Sequence, residues 1–261
     1  MGPDAVIMPP PWHLGNDIVD LTDPRHMGKS GEERFLQRVF SEEEREDIRS
    51  SRNPDRALWA RWAGKEAAFK TISKSQGTPP VFIHSLFEVT LFRERGPIAE
   101  TKVPSDPPMT RFGHVRYEDV VLPLRIEAAG TAFHAVTWTP SPAQEVPPFF
   151  WGSSQIAEKD QAWREVLRPA FTALEWACVS HRASALARLA ARSSLASTLG
   201  VDEGGLEIGC GEGKPGRRIP KVFFEGEEAP VDLTLSHHGR LLAWAFLTSA
   251  GFRPQGQFQG R

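Results

Sequence analysis

In Gly15-Asn16-Asp17-Ile18-Val19-Asp20-Leu21, Asp17 interrupts an apolar run. In Trp62-Ala63-Gly64-Lys65-Glu66-Ala67-Ala68-Phe69-Lys70, Lys65, Glu66 and Lys70 fall on one amphipathic segment. Two carboxylates and two ammonium groups suit a magnesium-bound diphosphate: hard oxygens hold the cation, and lysines neutralise phosphate oxygens. If the first segment is a strand, Gly15, Asp17, Val19 and Leu21 share a face on which Asp17 is the only charge. A buried carboxylate then requires a cation, donors or water. The bland alternative is a strand-end aspartate capping the Thr22-Asp23-Pro24 turn. If the second segment is a helix, Trp62, Glu66 and Lys70 lie at i,i+4 spacing with Lys65 and Phe69 beside them. An exposed Glu66–Lys70 ion pair is the generic reading. Against it, Trp59, Trp62, Ala63, Ala67 and Phe69 make this helix largely buried, so its charges need a polar partner.

Other motifs are weaker alone. Gly211-Glu212-Gly213-Lys214-Pro215 resembles a phosphate loop but fails as a Walker motif, with Ile208 where the first glycine belongs and Pro215 after the lysine. It reads as a mobile surface turn or as a glycine loop presenting Lys214 to an anion, with Arg217, Arg218 and Lys221 following. In Leu235-Ser236-His237-His238-Gly239, neighbouring strand residues point to opposite faces, so Ser236 and His237 are poorly placed as nucleophile and base. Hydrogen bonds to a phosphate are easier geometry. Arg182, Arg188 and Arg192 read as a solvated helix face. Cys178, His181, Cys210, His237 and His238 lack zinc-ligand spacing.

The elements that must position these groups follow from patterning. Strands are expected at Leu14 to Leu21, Ser85 to Arg93, Leu206 to Gly209, Val231 to Ser236 and Leu241 to Thr248. His114 to Ile126 and Ala132 to Thr139 read as a hairpin turning at Ala129-Gly130. Helices are expected at Gly31 to Phe40, at Glu42 to Ser50 capped by Ser41, and from Pro54 to about Ser73. Two more run from Lys159 to Val179 and from Ala183 to Leu199, with Gly200 as C-cap. Gly96 to Gly113 reads as a loop, and Thr139 to Ser154 as an interdomain connection whose Phe149-Phe150-Trp151 cluster packs on a neighbour. Each half ends on an apolar strand, a weak sign of duplication.

The chain has 261 residues, 40% hydrophobic and 25% charged, as in a soluble globular protein. A net charge of −2 gives no global field for nucleic acid, so any anion site is local. Two cysteines make no disulfide framework and fit a reducing, cytoplasmic compartment. The first residues do not read as a signal peptide, and no segment reads as a membrane span.

GNDIVDL followed by WAGKEAAFK resembles the paired signatures of the 4′-phosphopantetheinyl transferase superfamily. GKP at Gly213 to Pro215 and LSHHG at Leu235 to Gly239 look like its other two motifs. SHRASALARLAARSSLASTLG resembles the arginine-bearing helix of the larger, surfactin-synthetase-type members, and RFLQRVFSEEEREDI is similar to the helical stretch between the first two motifs. The motif order is that of the short holo-acyl-carrier-protein synthases, yet this chain is about twice as long as those. The resemblance therefore implies an α+β fold with a pseudo-twofold pair of similar α/β lobes, exchanged in sequence. The lobes would span 14–139 and 159–250, joined by a linker at 140–158, with the active site at their interface.

The resemblance further implies transfer of 4′-phosphopantetheine from coenzyme A to a serine of an apo acyl or peptidyl carrier protein. Adenosine 3′,5′-bisphosphate would be released. Asp17 and Glu66 would hold Mg2+, and Lys70 would contact phosphates with Lys65 supporting. Arg182, Lys214, Ser236 and His237 would grip the nucleotide. The surfactin-type motif carries a second acid where this chain has Val19, so two protein ligands are expected. The general base is Glu66 or a metal-bound water. Partners would be coenzyme A and the carrier, with neither nucleic acid nor membrane, and the two-lobed chain suggests a monomer. Rival readings are an inactive coenzyme A or nucleotide binder and a carrier-binding scaffold.

Overall fold

Strand β1 (Leu14–Asp20) is the element around which the site is built. The computed structural model of the protein describes residues 12–92, 109–140, 149–156, 161–211 and 219–249. After β1 come α1 (Glu33–Val39), α2 (Glu42–Ser50) and the long α3 (Pro54–Ser75). Ser41 opens α2 with a capping box: its hydroxyl accepts the Glu44 N–H at 3.3 Å, and the Glu44 carboxylate accepts the Ser41 N–H at 2.9 Å. Asn53 caps α3, Pro54 occupies its first turn, and the helix stops at Gln76 before Gly77 with φ of 70°.

Gly15 sets the approach of α3 to β1. A Cβ there would sit inside contact distance of the Ala67 carbonyl and 2.6 Å from Thr71 Oγ1. Alanines at 63, 67 and 68 complete the close packing.

Strands β2 (Glu88–Leu91), β3 (Met109–Tyr117), β4 (Val120–Ala129) and β5 (Ala132–Trp138) join β1 in an antiparallel sheet ordered β1-β5-β4-β3-β2. In its register Asp17 lies opposite Ala135. The expected strand from His114 to Ile126 is two strands, because Glu118 takes a left-handed φ of 51° and turns the chain. With only Glu118 and Asp119 between apolar alternations, the pattern runs on across the turn. The expected loop gives way to β3 from Met109, and its earlier part lies outside the described residues.

The second half contains β6 (Phe149–Gln155), α4 (Trp163–Leu167), α5 (Ala173–Trp176) and α6 (Arg182–Leu199). These are followed by β7 (Leu206–Cys210), β8 (Pro220–Phe224), β9 (Glu227–Glu228), β10 (Val231–His238) and β11 (Leu241–Thr248). The proline-rich connection thus holds a strand, β6, paired with β11. Phe149 is buried there, while Phe150 stacks on Phe246 at 5.4 Å. The expected helix from Lys159 to Val179 is broken at Pro169, which lacks the N–H that would continue it. Strands β8 and β9 were not anticipated. Gly200 caps α6 in the left-handed region, as expected.

The fold is α+β, and both halves follow one order. In the first, the opening strand β1 pairs with the closing strand β5, and β5 with β4. In the second, β6 pairs with β11, and β11 with β10. Helix α3 packs on β1 and β5, and α6 on β10 and β11. The halves meet where β1 runs beside β10 and β11. At this seam Asp232 accepts hydrogen bonds from the Leu14 N–H and from Lys74 Nζ, both at 2.5 Å. The Thr234 hydroxyl donates to Asn16 Oδ1 at 2.9 Å. Ile18 packs with Leu241 and Ala243. No described helix is long and apolar enough to cross a membrane.

Candidate active site

Because α3 lies so close at Gly15, the next residue on that strand face, Asp17, meets the helix at Lys70 and Glu66. Lys70 Nζ stands 3.6 Å from Asp17 Oδ1. The same ammonium donates to the Asn16 carbonyl at 2.6 Å and the Leu235 carbonyl at 3.3 Å, so it clasps β1 to β10. Asp17 is largely buried, its side chain 14% exposed. Burial pushes its carboxyl up to about 7; the Lys70 ammonium opposes this and the Glu66 carboxylate adds to it. A hard divalent cation would relieve both the lost hydration and the repulsion, so the two acids fit Mg2+ by charge and donor type.

Glu66 has a second neighbour. His84 Nε2 lies 3.4 Å from Glu66 Oε1, with its ring against Trp62 at 4.4 Å and Phe82 at 4.1 Å. Below β1, Asn16 is wholly buried and joins three elements. Its amide nitrogen lies 3.1 Å from His134 Nε2 and 3.3 Å from Ser236 Oγ. Burial, with Lys70 and Arg125 nearby, pushes His134 down to about 3. It is therefore neutral and can accept from Asn16.

One other group could suggest a metal among the described residues: Asp23, His26 and His238. Its hydrogen bonds argue otherwise. His26 Nδ1 is 2.8 Å from the Asp20 carbonyl, and His238 Nδ1 accepts the Asp20 N–H at 3.1 Å. Neutral His238 then carries its proton on Nε2 and has no lone pair left for a cation. Asp23 is engaged by Arg25 at 2.6 Å.

On the other side of β10, a cavity of about 480 Å³ opens between α6, β7, β10 and the segment that follows α5. Cys178, His181, Arg188, Cys210, Leu235 and His237 are among its lining residues, and none of the described lining residues is a carboxylate. Leu235, whose carbonyl holds Lys70, joins the cavity to the Asp17 cluster. Burial pushes His237 down to about 4, with His181, Lys70, His238 and Arg188 adding to the effect. Its ring meets His181 edge-on at 4.4 Å. Cys178 and Cys210 are paired as a disulfide, with Cα atoms 5.9 Å apart. Residues 32 apart in sequence, the two become neighbours through the packing of α5 on β7.

The three arginines of α6 separate by environment. Arg192 is committed to Glu175 at 3.1 Å and Glu203 at 3.4 Å. Arg182, in the first turn, is not among the cavity-lining residues. Arg188 is 7% exposed, lines the cavity, and makes no ion pair with a described carboxylate. It donates to the Ser184 hydroxyl at 2.6 Å, and among the described residues its Nε has no hydrogen-bond partner. Glu175, whose charge it feels, is held by Arg192 and by the Ile208 N–H at 2.9 Å.

Of the sequence-predicted residues, Asp17, Glu66 and Lys70 come together and His237 lies across β10 from them. Lys65 does not join them. Its ammonium is wholly buried on another face of α3, 2.7 Å from Glu44, and donates to the Phe87 carbonyl. One residue along a helix is a turn of 100°, which separates Lys65 from Glu66. Ser236 faces β1, its hydroxyl taken by Asn16, and lies outside the cavity lining. Lys214 lies outside the described residues. Asn16 and Arg188 lie inside quoted motifs without a role assigned to them, and His84 carries no motif signal. Only a polar residue inside an apolar strand hinted at Asn16.

Residues 13–124 match the family model of the 4′-phosphopantetheinyl transferase superfamily. A holo-[acyl-carrier-protein] synthase of Azoarcus sp. is 39% identical over 66 residues, covering 25% of this chain and 53% of that protein. Another, of Chlamydia caviae, is 34% identical over 65 residues, covering 25% of this chain and 53% of that protein. The chain thus spans about half the length of these relatives. The matched region 13–124 contains Asp17, Glu66 and Lys70, and over it the resemblance drawn from the motifs is borne out at the level of the 4′-phosphopantetheinyl transferase superfamily.

Proposed function

We propose that this protein transfers 4′-phosphopantetheine from coenzyme A to a serine of an apo acyl or peptidyl carrier protein, releasing adenosine 3′,5′-bisphosphate. The observation that carries the reading is the pair of half-buried carboxylates, Asp17 and Glu66, beside Lys70, joined through β10 to a cavity whose described lining includes Arg188 and His237 and no carboxylate. A diphosphate needs the first, and the nucleotide carrying it needs the second. Asp17 and Glu66 would hold Mg2+, which when bound neutralises charge on the diphosphate. Lys70 would turn from the two carbonyls it now contacts toward the phosphate oxygens, where charge grows as the serine oxygen attacks. The P–O bond to the nucleotide breaks, and the serine proton leaves to Glu66 or solvent.

Arg188 and His237 would hold the nucleotide phosphates, and Arg182 and Lys214 remain further candidates by the motif resemblance alone. The strand order common to both halves supports two related lobes, 14–139 and a second that takes in β6. All these groups come from one chain, which supports a monomer.

The reading is tested by chromatography of adenosine 3′,5′-bisphosphate released from coenzyme A and Mg2+. Release requires the apo carrier. Arg188→Gln raises the KM for coenzyme A about tenfold, the loss of one charge-assisted contact. Nucleotide release without carrier, or none with it, contradicts the reading.

A further inference from the structure

We propose that His84 is a positioning residue: its Nε2–H fixes the Glu66 carboxylate in the orientation that receives the cation. The inference rests on the metal role given to Glu66 above. Among the described residues His84 Nε2 is a buried nitrogen with no hydrogen-bond partner, and a buried donor left unmade costs about 1–3 kcal/mol. The Glu66 carboxylate, at 3.4 Å, is the acceptor in reach among the described residues. The ring cannot swing away. Trp62 and Phe82 flank it at 4.4 Å and 4.1 Å, and it opens a short turn of 3-10 helix, His84–Leu86.

Glu66 itself is only 26% exposed and stands on α3, whose own backbone is fixed by packing on β1. With Nε2–H donating to one Glu66 oxygen, the other would be left for a cation shared with Asp17. Groups that orient a ligating side chain in this way typically change metal affinity 10–100-fold when removed.

Two substitutions separate the donor from the ring. His84→Phe keeps the stack on Trp62 and Phe82 and loses the donor. His84→Gln loses the stack and keeps an N–H near the position of Nε2. Mn2+ binding is followed by electron paramagnetic resonance at pH 8 on full-length protein, beside transfer rates at saturating coenzyme A. The expected result is about tenfold weaker Mn2+ binding for His84→Phe, near-wild-type binding for His84→Gln, and a parallel rise in the Mg2+ needed for half-maximal rate.

Wild-type affinity in His84→Phe overturns the proposal. So does equal loss in both variants, which assigns the effect to the aromatic stack. If wild type binds Mn2+ with the expected variant pattern yet transfers nothing, positioning stands and the transferase reading falls. If wild type binds no Mn2+, both fall.

Discussion

Asp17→Asn is expected to make the free protein more stable at pH 8 while lowering transfer by about 10²–10³-fold, the several kcal/mol that a metal ligand contributes. In the folded protein the Asp17 carboxyl ionises at about 7, with burial as the main cause. In the unfolded chain it ionises near the ordinary carboxylate value. Between those values the native state holds a proton that the unfolded state has released, so stability falls as pH rises through the window and levels off above it. The loss is on the order of 4 kcal/mol, and an asparagine, which does not titrate, escapes it.

Thermal unfolding should therefore place the Asp17→Asn midpoint about 8–15 °C above wild type at pH 8, with the difference shrinking towards pH 4. Adding Mg2+ and coenzyme A reverses the order, since ligand binding stabilises only the protein that binds it. A midpoint difference independent of pH would mean that Asp17 is an ordinary exposed acid.

Lys65→Met is expected to destabilise the fold by about 3–5 kcal/mol, because it leaves the Glu44 carboxylate buried without its cation. Glu44 also accepts from the Ser41 and Val89 backbone N–H groups, so it is fixed in place and cannot turn outward. Burial pulls Lys65 below the ordinary lysine range and the Glu44 carboxylate opposes the shift. Adding Glu44→Gln to Lys65→Met should recover most of the stability and, with it, transfer activity. Denaturant unfolding with matched kinetics checks this. A lysine that touched substrate would behave in the opposite way: stability intact, activity lost, and no rescue from position 44.

The contrast between Lys65 and Lys70 measures what the sequence could convey. Helical spacing placed Glu66 and Lys70 together and gave the strand face of Asp17, because i,i+4 spacing and strand alternation are local geometry. Which way adjacent Lys65 points depends on α2 and on Glu44, 21 residues distant in sequence. Ser236 and His237 show the same boundary. Their opposite facing follows from alternation, whereas which of them meets β1 depends on how the halves dock. Arg188 and Arg192 look alike in sequence, and the placement of Glu175 gives one a partner and leaves the other to the cavity. Strand β6 was masked by flanking prolines, and the β3–β4 turn by apolar alternation on both sides. His84 had no signal, since a lone histidine in a turn gains meaning only from what it stacks against.

The most direct test of the central claim is the intact mass of an apo carrier protein after incubation with this protein, coenzyme A and Mg2+. A gain of one phosphopantetheine group, about 340 Da by its covalent composition, that is absent with Glu66→Ala and without Mg2+ is the predicted result. No gain across fatty-acid, polyketide and peptidyl carriers, with coenzyme A still bound, would contradict transfer and leave a binding protein.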